Sequence, residues 1–292
     1  MQGKEKTTPA DWIKNAIREF TASAENSLGG REHEPAWGEP LTGFSRGDDP
    51  LYLRFKDDIG AFYWTPLEIF EKTFPALKVT AAELTVISWI LPQTEKTRHD
   101  NRNEKERPSE RWARSRKFGE EFNVRLREQV VALLRGRGYE AVAPANSPYF
   151  EIQTSARFGP ASTWSERHAA YVAGLGTFGL CDGLITPAGK AMRCGSVVAR
   201  MGIPPTPRPY DDPHAYCLFF SRGTCGACIK RCPAGAISRE GHNKERCMEY
   251  VYTVTSPYVS EMFGFDSYGC GLCQTGVPCE AGIPASEKDR HS

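Results

Sequence analysis

The sequence predicts an α/β core followed by a small cysteine-rich subdomain. Three observations carry this: a strand–helix–strand pattern over residues 83–144, a further apolar strand at 195–201, and eight of the ten cysteines falling within 217–279. At 292 residues the chain is long enough for one large domain or two ordinary ones with real cores. Its 40% hydrophobic and 25% charged residues are the composition of a soluble globular protein. The organisation expected is an N-terminal helix and irregular region over 1–79, the core over 80–210, the cysteine-rich subdomain over 211–284 and a polar tail over 285–292.

Each element follows from local pattern. Over residues 8–24, Thr8 can cap a helix, Pro9 suits its first turn, and Trp12, Ile13, Ala16, Ile17 and Phe20 form one apolar face. Residues 25–79 are rich in Gly, Pro and aromatics and read as short turns with a hairpin. The run ELTVISWILP, 83–92, is a buried strand stopped by Pro92. A charged segment, 95–117, sets nine Lys or Arg against five Asp or Glu and reads as a solvated loop and helix entry. From 111 to 137 a long helix carries Phe118, Phe122, Leu126, Val130, Leu133 and Leu134 at helical spacing, and Gly138 ends it. YEAVAP, 139–144, is the next strand, so the three elements suggest a parallel unit. Thr163 and Glu166 then mark a capping box for a helix over 164–173. GSVVARM, 195–201, is another buried strand, and IPPTPRPYDDP is a linker.

Gly174, Gly176 and Gly179 spell GxGxxG, but a helix precedes them where the dinucleotide fingerprint requires a strand, so nicotinamide binding is rejected. These glycines still let backbone approach something flat and closely packed. Cys181 and Cys194 stand outside the main cysteine pattern and read as buried apolar residues. No P-loop, HExxH or GxSxG is present, and no internal repeat.

The cysteine pattern points to iron and sulfur. TCGACIKRCPAGAI places Cys225, Cys228 and Cys232 with gaps of two and three residues and Pro233 directly after, which is most of the bacterial ferredoxin run. In that run the cysteine before proline reaches over to a second cluster, and eight thiolates are what two 4Fe–4S clusters need. Cys225 and Cys228 would bind cluster A, while Cys232 joins Cys247, Cys270 and Cys273 on cluster B and Cys279 returns to cluster A. The usual fourth position of cluster A is Arg222, which cannot ligate iron, so Cys217, the nearest spare thiol, takes that place. Disulfides are the weaker reading, because MQGKEKTTPADW shows no apolar signal segment. Zinc is also weaker, because a cysteine–proline after a three-residue gap is not the habit of zinc ribbons.

The formal charge of +1 argues against a protein dedicated to gripping nucleic-acid phosphates. No apolar run approaches the roughly 20 residues that span a bilayer. A cytoplasmic location and no membrane partner are expected.

Joined in order, VISWILP, ARSRKFGEEFNVRLREQV, ERHAAYVAGLGTFGLCDGLITPAGKAMRCGSVV, CGACIKRCPAGAI, RCMEY and YGCGLCQTGVPC resemble the iron–sulfur core of epoxyqueuosine reductases and the related reductive dehalogenases. The likeness covers about residues 80–282. It implies a cobalamin-dependent reductase: an α/β core that cradles the corrinoid base-off, and a ferredoxin-like part that feeds it single electrons from a low-potential ferredoxin or flavodoxin. The substrate implied is a small molecule or a modified nucleoside. Gly174, Gly176, Thr177, Gly179, Thr186 and Lys190 would then lie near the corrin or its tail, and Cys247 is similar to the family's isolated cluster ligand. His214, in DPHAYC, does not complete a DxHxxG corrinoid signature, since Cys217 stands where glycine would; in this family the lower axial histidine is not used.

Three departures stand out. Arg222 replaces a cysteine, the loop EIQTSARFGPASTWSER lacks the family's proton-donating aspartate, and the polar ASEKDRHS stands where HEAT-like repeats often follow. They leave tRNA a disfavoured partner. Tyr149 and Glu151, within the equivalent loop, become the candidate proton donors, by likeness to the tyrosine of reductive dehalogenases. The alternative is a ferredoxin-type electron carrier, or a corrinoid-reducing partner protein, without a substrate of its own.

Overall fold

The computed structural model describes residues 8–30 and 34–285; beyond Ala285 the expected tail lies outside the described residues. Helix α1 (Pro9–Thr21) starts as expected, with Thr8 and Asp11 closing a reciprocal cap. Residues 25–79 hold more regular structure than their composition suggests: strand β1 (Leu41–Arg46), helix α2 (Leu51–Ile59) and helix α3 (Pro66–Thr73). The signal for α3 was Thr65-Pro66-Leu67-Glu68, in which Thr65 accepts from the Glu68 amide while Glu68 accepts from the Thr65 amide.

Strand β2 (Leu84–Pro92) is buried at all nine positions. Helix α4 (Glu95–Asn103) and helix α5 (Glu110–Arg135) follow, then a two-residue strand β3 (Ala141–Val142). A hairpin of β4 (Ile152–Ser155) and β5 (Gly159–Ser162) leads into helix α6 (Glu166–Val172). The cap of α6 is Ser165, accepting from the His168 amide, one turn of logic away from the Thr163 box the sequence suggests. Strands β6 (Thr177–Phe178) and β7 (Leu184–Ile185) form a small hairpin before β8 (Met192–Arg200).

The main sheet has the order β1-β2-β8-β3 with every pair antiparallel. Strands β2 and β3 do run in the same direction, but they never pair. β8 inserts between them, so the expected parallel unit is replaced by an antiparallel one. Alternation along β2 sends Ile87, Trp89 and Leu91 to one face, against Phe122, Leu126 and Val130 of α5 and Ile13 and Ile17 of α1. Leu84, Val86 and Ile90 face the other side, against Tyr52, Phe55, Phe70 and Ala169 from α2, α3 and α6. The described part of 1–79 is therefore woven into the core. Trp89 pairs with Gly195, and a Cβ at Gly195 would lie 2.4 Å from the indole, so glycine leaves the ring its space. Among the described residues no helix is long and apolar enough to cross a membrane.

Candidate functional site

After β8 the regular elements become short, and cysteines punctuate them. Cys217 caps α7 (Leu218–Arg222); Cys225 and Cys228 flank the start of α8 (Ala227–Lys230); Cys232 follows its end. A hairpin of β9 (Ile237–Ser238) and β10 (Gly241–His242) leads to α9 (Lys244–Tyr250), which carries Cys247 and runs through a π-helical turn at Val251–Thr255 into α10 (Ser256–Phe263). Cys217, Cys225, Cys228 and Cys279 line one small cavity. Cys232, Cys247, Cys270 and Cys273 line a much larger cleft of about 610 Å³, together with Cys181 and Cys194. Among the described residues no three His, Cys, Asp or Glu side chains converge as they would on a single metal ion. Thiolates that hold the corners of a cubane stand farther apart than those around one ion, so the wider spacing is compatible with a cluster.

The loops that present these thiols are tied to the core by the charged segment 95–117, which is not a solvated loop. Asn101, buried on α4, donates to the Cys270 carbonyl at 3.3 Å and to Thr275 Oγ1 at 3.1 Å. Arg231 donates to the carbonyls of Leu272, Thr275, Glu104 and Asn101, which locks the 228–232 and 270–275 loops to α4 together. Trp112 at the start of α5 presses on Gly271, whose φ of +63° and lack of a Cβ are both needed, since a Cβ there would fall 1.9 Å from the indole. Arg102 pairs with the buried Glu280 at 2.5 Å, and Glu280 accepts from the Gly276 amide at 2.6 Å. Lys190 donates from its backbone to the carbonyl of Cys279 at 2.8 Å.

The remaining cleft wall is aromatic and charged. Trp37, Trp112, Phe150 and Trp164 supply apolar surface, and Gln93 keeps its Oε1 without a partner among the described residues. Glu120 accepts from Arg127 at 3.2 Å and from Arg193; although burial opposes it, these two guanidiniums hold its carboxyl below the usual range. Glu166 accepts from Arg127 at 3.1 Å and from Ser196 Oγ, but here burial wins and its carboxyl is pushed up. Cleft phenols among the described residues are Tyr250 and Tyr268. The Tyr250 hydroxyl donates to the Glu106 carbonyl at 2.7 Å. Tyr268 lies under the Arg116 guanidinium, 4.8 Å from the ring centre, and against Arg193. Arg116 has no carboxylate partner among the described residues.

No family model matches the chain. An epoxyqueuosine reductase of Bacillus anthracis is 27% identical over 172 residues, 57% of this chain and 40% of that protein. Another, of Staphylococcus aureus, is 28% identical over 178 residues, 59% of this chain and 42% of that protein. Over these stretches the chain is similar to the epoxyqueuosine reductases. It spans less than half the length of these curated relatives. A catabolic reductive dehalogenase variant shares the fold, with a TM-score of 0.50 at 15% identity over 96% of this chain and 37% of that one.

Several residues stand elsewhere than the sequence suggests. Tyr149 is 46% exposed and Glu151 is exposed, and neither lines the cleft. It is Phe150, partly buried, that borders the cleft, while Ile152 touches its rim and is largely exposed. Gly174 and Gly176 do not border the cleft either: Cβ atoms there would strike the carbonyls of Pro207 at 2.7 Å and Ile185 at 2.3 Å. Thr177 is fully buried and accepts from the Tyr216 amide; Thr186 is fully buried and closes its own turn onto Gly189. Gly179 borders only the small cavity. Lys190 alone of these six lines the cleft, and it lines the small cavity as well. Cys194 is buried in the sheet and its thiol is pushed up to about 12 by that burial, as suits an apolar residue. The sequence reading missed Arg116, Glu120 and Tyr268, while Arg193 ends the 186–193 loop expected near the corrin; Arg116 and Glu120 lie in or beside a charged run whose fold-back onto the cleft is a tertiary event.

Proposed function

We propose that this chain is an iron–sulfur reductase that takes single electrons from a low-potential donor such as a ferredoxin or flavodoxin and delivers them to cobalamin held in the cleft. Cys217, Cys225, Cys228 and Cys279 would hold one 4Fe–4S cluster, and Cys232, Cys247, Cys270 and Cys273 the other. The observation that carries the reading is that the second set of thiols forms part of the cleft wall itself, so a cluster there would border whatever the cleft binds. The cleft suits such a guest: its volume is in the range of cofactor sites, its walls are aromatic, and Gln93 offers an unpartnered acceptor. Bound cobalamin would supply the cobalt-centred reducing chemistry that no side chain can.

The chain's own residues would bind and protonate the substrate, a small molecule or modified nucleoside. Trp37, Phe150 and Trp164 exclude water from one side. Arg116 and Arg193, flanking Tyr268, can orient a polar group and stabilise negative charge developing on it. Tyr268 is the phenol placed to hand over a proton, in the role for which the sequence offers Tyr149 or Glu151.

Anaerobically purified protein should contain about eight irons and eight sulfides per chain. Given hydroxocobalamin and a reductant, it should show a base-off cob(II)alamin signal in electron paramagnetic resonance. Iron-loaded protein without that signal would leave the electron-carrier reading in its place.

A further inference from the structure

Lys190 is 2% exposed, yet its ammonium has no carboxylate partner among the described residues. Burying a lone cation is costly unless an opposite charge meets it. What meets it is sulfur. Nζ lies 3.2 Å from Cys181 Sγ, and the thiols of Cys279, Cys273 and Cys228 are its other neighbours. Cys181 in turn touches the thiols of Cys228 and Cys273. Under the assignment above, Cys228 and Cys279 belong to one cluster and Cys273 to the other, so the Lys190–Cys181 pair stands between the two. The fold is shaped around this cation. A Cβ on Gly183 would fall 2.9 Å from the Lys190 stem, and its backbone is strapped to the carbonyls of Cys279 and Glu280 at 2.8 and 3.2 Å.

We propose that Lys190, acting partly through Cys181, is a positioning residue that raises the reduction potential of both clusters. This rests on the two-cluster reading. A cluster that gains one electron gains one negative charge, while the ammonium keeps its proton. A fixed positive charge in a site screened from water therefore favours the reduced form, as do hydrogen bonds to cluster sulfur. Cys181 is then not a ligand but a ninth thiol that passes the ammonium's polarity to the ligating sulfurs.

The test is an anaerobic redox titration of the full chain followed by electron paramagnetic resonance, with iron and sulfide counted for each variant. Lys190→Met should keep its iron but lower both midpoints; at the wild-type midpoint its reduced-to-oxidised ratio should fall on the order of tenfold, which is 59 mV for a one-electron couple. Lys190→Arg should restore most of the loss, and Cys181→Ala should shift both midpoints the same way by less, with full iron. Unchanged midpoints in iron-replete Lys190→Met overturn the inference. If that variant takes up no iron, unchanged midpoints in iron-replete Cys181→Ala overturn it instead. Absence of iron from the wild type would sink the cluster reading itself, a separate outcome.

Discussion

Strand β2 and the loop that carries Cys270 and Cys273 are both well enclosed, but for different reasons. All nine residues of β2 are buried between two apolar layers, and each fully buried Leu, Ile or Val there contributes roughly 1.5–3 kcal/mol. The 270–275 loop has little apolar surface of its own. It is held by Asn101, Arg231 and the Trp112–Gly271 contact, and by whatever its thiols bind. The core rests on its own packing, whereas under the proposed two-cluster reading the C-terminal part would draw stability from its clusters. That difference is general in metal-binding proteins, where binding free energy serves as folding free energy.

The largest expected effect breaks this contrast most directly. Stripping iron with a chelator should raise amide hydrogen exchange throughout 217–279 while Leu84–Pro92 stays protected. Equal loosening of both regions would show that the core, too, depends on the guest. Next in size, Trp89→Ala empties a fully buried site and loses the indole bond to Asn123 Oδ1 at 3.0 Å. It should cost about 3–5 kcal/mol in chemical denaturation, and a change under about 1 kcal/mol would refute the packing account.

A third comparison sets two tyrosines against each other. Tyr268→Phe should lower turnover by on the order of 10²-fold with iron content unchanged, while Tyr149→Phe should leave it alone. The reverse ranking would return the proton donor to the 149–151 loop.

The smallest effect is a pH dependence confined to the core. His168 packs edge-on to Phe55, with ring centres 4.5 Å apart, and burial together with the adjacent Arg167 pushes its pKa down to about 3 from the usual 6.5. The unfolded chain therefore takes the proton first. Stability present above about pH 6.5 is lost as the pH falls through the window toward 3. His168→Gln should flatten the change in urea midpoint between pH 7 and pH 5; a slope equal to the parent's would show that His168 does not carry it.

Much of this was legible along the chain. Strand 84–92, the long helix ending near Gly138, the strand around 195–200 and the eight-cysteine pattern are each written in local period or spacing, which depends on neighbours a few residues away. The helices at 51–59 and 66–73 were hidden by a Gly- and aromatic-rich composition, though the cap at Thr65 and Glu68 was there to be read. Helix α4 was hidden by its charge: EKTRHDNRN has no apolar stripe because its inward side is polar, with Thr97 and Asn101 buried.

By itself, then, the sequence determined the two long buried strands, the first and the long helix and the thiol-bearing loops, because those follow from short-range sterics and hydrophobic period. Only the tertiary structure decided that β8 divides β2 from β3, that Phe150 rather than Tyr149 faces the cleft, and that the Lys190 ammonium turns toward sulfur. Each of these is a contact between residues that spacing does not relate. Pairing across a sheet and placing a buried charge are resolved only when distant segments compete for the same space and the same partner.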